Sequence, residues 1–149
     1  FMHLPNIYKQ VLEKLNSVLS RKNGLIVLQL SNYEKAIKYH NNLRRFVIRE
    51  SKIPSIGKKA YLWFYDPPKK KGDLLGMNVA IFDFDSPMWK FRGMNSVATM
   101  PFTQDDLKHL LTTYEFRKVF FYGAKEREQI LKDSFDPKNS DWLIAVATR

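Results

Sequence analysis

The sequence predicts a single α/β (α+β) domain over residues 1–149, with a mixed β-sheet of about five strands, about four flanking helices and a basic β-hairpin. Three observations predict this class. Helical periodicity alternates with short apolar runs, hydrophobic residues make up 44% of the chain, and 149 residues suit one domain. Because the chain has no Cys, a disulfide scaffold and a Cys-ligated metal site are excluded.

The first part of the chain is predicted to be helix, strand and helix. Residues 5–22 place apolar side chains on one helical face. Residues 25–30 form a short apolar run typical of a buried strand. Ser31 and Glu34 then have the spacing of a capping box, which predicts a second helix that runs to about Glu50.

The middle of the chain has the pattern of a β-hairpin. Residues 60–65 are rich in aromatic side chains, and residues 77–85 form a second strand-like run. The segment 66–73 between them contains two Pro, three Lys and one Gly, which predicts a turn with a basic tip. A third strand is predicted over residues 89–97.

The last third predicts a helix, a strand, a short helix and a final strand. Thr103 and Asp106 have capping-box spacing and begin the first of these helices. The remaining elements are a strand over 117–122, a helix over 125–133 and a buried strand over 142–147.

The positive charge lies in the first half of the chain. Residues 1–72 hold 15 Lys and Arg against 4 Asp and Glu, whereas residues 73–149 hold 10 against 11. Such an asymmetry indicates a polyanionic partner for the basic half 1–72. Nucleic acid is the first candidate, DNA before RNA, and an anionic membrane surface is the second.

Three groups of basic residues are predicted to contact the phosphate backbone. On the second helix, spacings of three and four, counted through Asn42, place one group along a single face. The second group lies in the loop before the hairpin, and the third at the hairpin tip. These groups are Lys35, Lys38, Arg45 and Arg49; Lys58 and Lys59; and Lys69, Lys70 and Lys71. In addition, Tyr61, Trp63 and Tyr65 are two positions apart, so a strand places them on one face. There they would form either a stacking surface for bases or part of the core.

A pair of carboxylates ends the second hairpin strand. Asp83 and Asp85 are two residues apart, so a strand places both on one face, at about 6.5–7 Å between Cα atoms. Paired carboxylates of this kind can hold Mg²⁺ or Mn²⁺. With Lys90 stabilising charge on the phosphate, these residues would form the catalytic site of a small metal-dependent nuclease.

Three functions therefore stay open from the sequence. Nucleic-acid binding without catalysis is the first, a metal-dependent nuclease is the second, and a protein- or membrane-surface interaction module is the third. A homodimer through an edge strand or a Tyr and Trp surface is a further option. The longest apolar run, 25–30, is much shorter than the about 20 residues of a membrane-spanning helix, which favours an intracellular, cytoplasmic protein.

Overall fold

The chain divides into two compact units. The computed structural model describes residues 4–19, 24–52, 57–70, 72–126 and 128–149. Unit 1 comprises Phe1–Lys35 and Pro101–Arg149, and unit 2 comprises Ala36–Met100. Unit 2 is thus inserted in the sequence of unit 1. The single domain over 1–149 stays a prediction.

Each unit contains one four-stranded antiparallel sheet. The strand order is β1-β8-β6-β7 in unit 1 and β2-β3-β4-β5 in unit 2. The described elements are, in chain order, α1 (Leu4–Val18), β1 (Leu25–Ser31), α2 (Glu34–Tyr39), β2 (Leu43–Glu50), β3 (Lys58–Asp66), β4 (Leu75–Asp85), β5 (Met88–Thr99), α3 (Gln104–Thr113), β6 (Lys118–Ala124), β7 (Asp133–Ser134) and β8 (Trp142–Thr148).

The core of unit 1 lies between its sheet and the two helices α1 and α3. The side chains of β8 alternate, so that Leu143, Ala145 and Ala147 all point to the helical side and are buried. Leu111 of α3 is fully buried in the same cluster. The predicted capping box begins α3, since the Thr103 hydroxyl accepts from the Asp106 amide and the Asp106 carboxylate accepts from the Thr103 amide.

Unit 2 is an antiparallel meander of its four strands. The predicted hairpin is confirmed, with β3 and β4 paired from Lys59 opposite Asp83 to Asp66 opposite Gly76. The third strand is confirmed as well, because β5 pairs with β4 along its whole length. At the hairpin turn, Gly72 has a φ of +92°, a conformation that favours glycine.

The predicted second helix is wrong beyond its first turns. Helix α2 ends at Tyr39, His40 adopts a φ of +53°, and Leu43–Glu50 is strand β2. A left-handed residue ends a helix, and the segment 43–50, with its run of Phe46, Val47 and Ile48, then pairs with the aromatic strand β3. The predicted capping residue is also wrong: Ser31 belongs to β1, and Asn32 Oδ1 accepts the hydrogen bond from the Glu34 amide.

The predicted helix over 125–133 and the single mixed sheet are wrong too. In the described part of 125–133, the chain forms turns that lead into the short strand β7. Side chains compete for its backbone amides, because Glu128 accepts from the Lys125 amide and Asp141 from the Glu126 amide. All strand pairs among the described residues are antiparallel, and the strands that were predicted to share one sheet belong to two.

Among the residues that the structure describes, none of the helices has the length and apolar character needed to cross a membrane.

Candidate nucleic-acid interface

Most of the positive charge of the chain belongs to unit 2. Its 65 residues, Ala36–Met100, contain 12 Lys and Arg against 5 Asp and Glu, a net charge of 12 − 5 = +7. Unit 1 contains 13 basic and 10 acidic side chains, a net charge of +3. The inserted sheet is therefore the first place to look for contacts with a polyanion.

One face of the unit 2 sheet, called the binding face below, carries a row of charged side chains across all four strands. The strand register places Arg49 of β2, Lys59 of β3, Asp83 of β4 and Lys90 of β5 opposite one another in that order. Directly opposite residues on neighbouring strands share a face of the sheet. The register therefore brings together residues from three groups that are predicted separately: Arg49, Lys59, and the pair of Asp83 and Lys90.

Ion pairs hold Asp83 of this row and the neighbouring Asp85. Lys59 Nζ lies 2.5 Å from Asp83 Oδ1, and Arg92 NH1 lies 3.1 Å from Asp83 Oδ2. Lys90 Nζ lies 2.5 Å from Asp85 Oδ2. The hydrogen bond from Lys59 is the main cause that lowers the pKa of Asp83; partial desolvation opposes it, and the positive charge of Arg92 adds to it.

Lys90 and Arg92 of β5 both lie at the carboxylate end of β4, and a β-bulge occurs at Arg92. The register shifts so that Ile81 is opposite Gly93 whereas Phe82 is opposite Phe91, which leaves Arg92 as the extra residue. Arg92 thus lies on the binding face beside Lys90. Arg92 is a site residue that the sequence reasoning missed, although its two-residue spacing from Lys90 on a predicted strand was a usable signal.

We expect the Asp83 ion pairs to stabilise the fold at neutral pH and to lose this effect in acid. The pKa of Asp83 is lower in the folded protein than in the unfolded chain, where Asp titrates near about 3.9. The stabilisation is therefore complete above that pH and lost as the pH falls through the folded pKa. Urea unfolding at pH 7 should show Asp83→Asn as less stable than the wild type, and the difference should shrink below about pH 4.

The control for this pH series is Asp66→Asn, at an exposed residue at the other end of strand β3. A gap between wild type and Asp83→Asn that is equally large at pH 7 and pH 3 would contradict the ion-pair explanation.

Aromatic rings follow the charged row along the binding face. Tyr61 and Trp63 are half-buried, and their ring centroids lie 5.6 Å apart at an interplanar angle of 28°. The guanidinium carbon of Arg45 lies 5.9 Å from the centroid of Trp63, within the range of a cation–π interaction. Tyr65, the third residue of the predicted alternation, is buried. The face therefore combines cationic side chains with two partly accessible rings.

The structure separates the other predicted contact residues. Lys35 lies in unit 1, where its Nζ is 2.6 Å from Asp141 Oδ1. Lys38 is exposed on α2, and Lys58 is on the opposite face of the sheet, with its Nζ 5.5 Å from the ring centroid of Phe84. The predicted basic face of one helix is wrong, because Lys35 and Lys38 lie on α2 whereas Arg45 and Arg49 lie on β2.

The lysines of the hairpin tip lie far from the charged row. Lys69 and Lys70 are exposed in the turn after β3, at the opposite end of that strand from Lys59. Lys71 lies outside the described residues. Nine residues of β3 at about 3.3 Å each separate the two basic positions by roughly 25–30 Å. One extended strand of nucleic acid could reach both positions only by running along β3.

The two aspartates lie on one face at the end of β4, as their spacing predicts. In the part of the chain that the structure describes, no group of three or more His, Cys, Asp or Glu side chains is arranged to hold a metal ion. Asp83 and Asp85 are each neutralised by Lys or Arg instead. Mg²⁺ or Mn²⁺ at these residues, and catalysis by Asp83, Asp85 and Lys90, stay predictions.

The chain was compared with protein-family models and with curated proteins, and neither comparison gives a match. Function is therefore inferred from the geometry and charge of the described residues.

Proposed function

We propose that this protein binds nucleic acid through the binding face of unit 2, with Arg45 and Arg49 of β2 as phosphate contacts. The observation that carries the proposal is the position of Arg45 and Arg49 on the same sheet face as the Tyr61–Trp63 ring pair, with Arg45 over the ring of Trp63. Guanidinium groups bind phosphate oxygens with two parallel hydrogen bonds. Aromatic rings beside them suit contacts with unpaired bases.

Binding to labelled DNA and RNA oligonucleotides, followed by fluorescence anisotropy at several salt concentrations, tests this proposal. We expect R45Q/R49Q to weaken binding at low salt by at least about tenfold, since a hydrogen bond to a charged group contributes about 1.5–3 kcal/mol. The slope of log affinity against log salt should decrease by about one for each lost phosphate contact.

The matched control is R117Q/K118Q, which removes two exposed charges from unit 1 and changes the net charge equally. If the two double variants lose the same affinity, the effect comes from net charge alone and the proposed contacts are wrong. If the wild type does not bind at low salt, the whole proposal is wrong.

A metal-dependent nuclease is a second candidate, favoured by the position of Asp83 and Asp85 beside the same charged row. The same oligonucleotide mixtures, incubated with Mg²⁺ or Mn²⁺ and run on a denaturing gel, distinguish it from binding alone. Shortened products that disappear in both Asp83→Ala and Asp85→Ala would support cleavage, whereas intact oligonucleotides in every lane would leave binding as the function.

A further inference from the structure

The second face of the unit 2 sheet, called the apolar face below, carries large apolar side chains on every strand. These are the residues whose side chains alternate with those of the binding face. Those on β2, the end of β4 and β5 are between 36% and 62% exposed. They are Leu43, Phe46, Ile48, Phe84, Trp89, Phe91 and Met94.

The strand register makes these side chains contiguous. One row across the sheet is Ile48, Ala60, Phe82 and Phe91, and the next row is Phe46, Leu62, Ala80 and Met94. The rings of Phe82 and Phe91 are in edge contact, with centroids 5.6 Å apart. Neither row contains a charged residue. Next to them, the side chain of Asn78 is hydrogen-bonded to Ser96, so that its oxygen is already satisfied.

The exposed area of this face is larger than a monomer ordinarily leaves in water. The seven exposed residues together present on the order of 700 Å². The largest apolar patch of a typical soluble monomer is about 300–600 Å². A standard stable interface buries about 800 Å² on each partner. The apolar face therefore has the size of one half of an interface.

We propose that the apolar face is covered by the same face of a second copy of this chain. Two copies with a net charge of +10 each repel one another over most of their surfaces, whereas the central rows of this face carry no charge. A two-fold axis makes one patch contact itself, so a single apolar face suffices. Two such sheets pack face to face about 10 Å apart, as the halves of a β-sandwich do.

This arrangement leaves both binding faces free. The binding face and the apolar face are opposite sides of one sheet, so a dimer through the apolar face would point its two charged rows in opposite directions. Dimerisation itself does not depend on nucleic-acid binding and is measured without any nucleic acid.

Light scattering after gel filtration, over a series of protein concentrations, tests the proposal. We expect the wild type to have twice the mass of one chain, with a dissociation constant of about 1 μM or lower. Phe91→Glu places a charge at the β5 end of one of the two apolar rows and should give a monomer at the same concentrations. The matched control is Phe120→Glu, at a residue of β6 that is 53% exposed in the sheet of unit 1, and it should stay a dimer.

Met94→Glu is the second variant, in case Phe91→Glu disturbs the fold through its contact with Phe82. Circular dichroism spectra equal to that of the wild type establish that each variant is folded. A wild type that is monomeric at every concentration would overturn the proposal. A dimer that persists in both folded variants would also overturn it and point to the edge strand β5. A monomer that binds anionic vesicles and loses this binding in Phe91→Glu would overturn it in favour of a lipid surface.

Discussion

Replacing Phe116 by Ala is expected to lower the free energy of unfolding of unit 1 by about 3–5 kcal/mol. Phe116 is 1% exposed and follows α3, in the core cluster with Leu107, Leu111 and Leu143. The substitution removes a whole ring from this cluster and leaves a cavity that the neighbouring strand and helix cannot close. Typical domains have about 5–15 kcal/mol of stability, so the variant would lose a large part of it.

Urea unfolding followed by circular dichroism measures this loss. The matched control is Phe120→Ala, because Phe120 is the same residue type four positions later but is 53% exposed on β6. We expect Phe120→Ala to cost less than about 1 kcal/mol. Equal losses for the two variants would contradict the assignment of Phe116 to the core.

Gly123→Ala is expected to cost about 1–3 kcal/mol or more, although it adds a single methyl group. A Cβ at this buried position of β6 would lie 2.1 Å from Ser140 Oγ and 3.2 Å from the backbone Cα of Phe135. A shift of the Ser140 side chain would break a hydrogen bond, because its Oγ accepts from the Asp136 amide at 3.1 Å. Either the loop around Ser140 shifts or its buried hydrogen bonds break.

Gly93→Ala provides the matched control for this substitution. Gly93 is also a strand residue, and a Cβ added there meets no other atom within 4 Å. Because Ala restricts the unfolded chain more than Gly does, Gly93→Ala should leave the stability unchanged or raise it slightly. Thermal unfolding of the two variants and the wild type measures the difference. A Gly123→Ala variant as stable as the wild type would show that the loop is not packed as described.

Local sequence signals predicted several elements correctly. The Pro- and Lys-rich segment predicted a turn, and the described residues 67–70 and 72–74 connect β3, which ends at Asp66, to β4. The capping box of Thr103 and Asp106 begins α3. These signals work because a turn, a cap or an amphipathic period depends on residues a few positions apart.

The second helix shows where local signals fail. The spacing of Lys35, Lys38, Arg45 and Arg49 fits a helix, but the segment 43–50 also contains the run Phe46, Val47 and Ile48, whose aromatic and β-branched side chains favour a strand. Pairing with β3 selects the strand, because the pairing places Val47 opposite Tyr61 and Phe46 opposite Leu62. The residues near 43–50 in the sequence do not show which strand will pair with this segment. Contacts with the distant strand β3 therefore override the helical pattern.

The aspartate pair shows the same limit at the level of the site. The two-residue spacing correctly placed Asp83 and Asp85 on one face of a strand. The partnership of Asp83 with Lys59 was not predictable, since Lys59 lies 24 residues earlier on another strand. Whether a carboxylate faces a metal or a lysine depends on which strands become neighbours.

The sequence by itself determined the excess of positive charge in the first half of the chain, the hairpin and the type of most elements. Only the tertiary structure decided that this charge belongs largely to an inserted unit, that Arg49, Lys59 and Lys90 form one row, and that Lys58 lies on the opposite face. The physical reason is the register of the strands: a shift by one residue moves a side chain to the other face, and register is determined by contacts between distant segments.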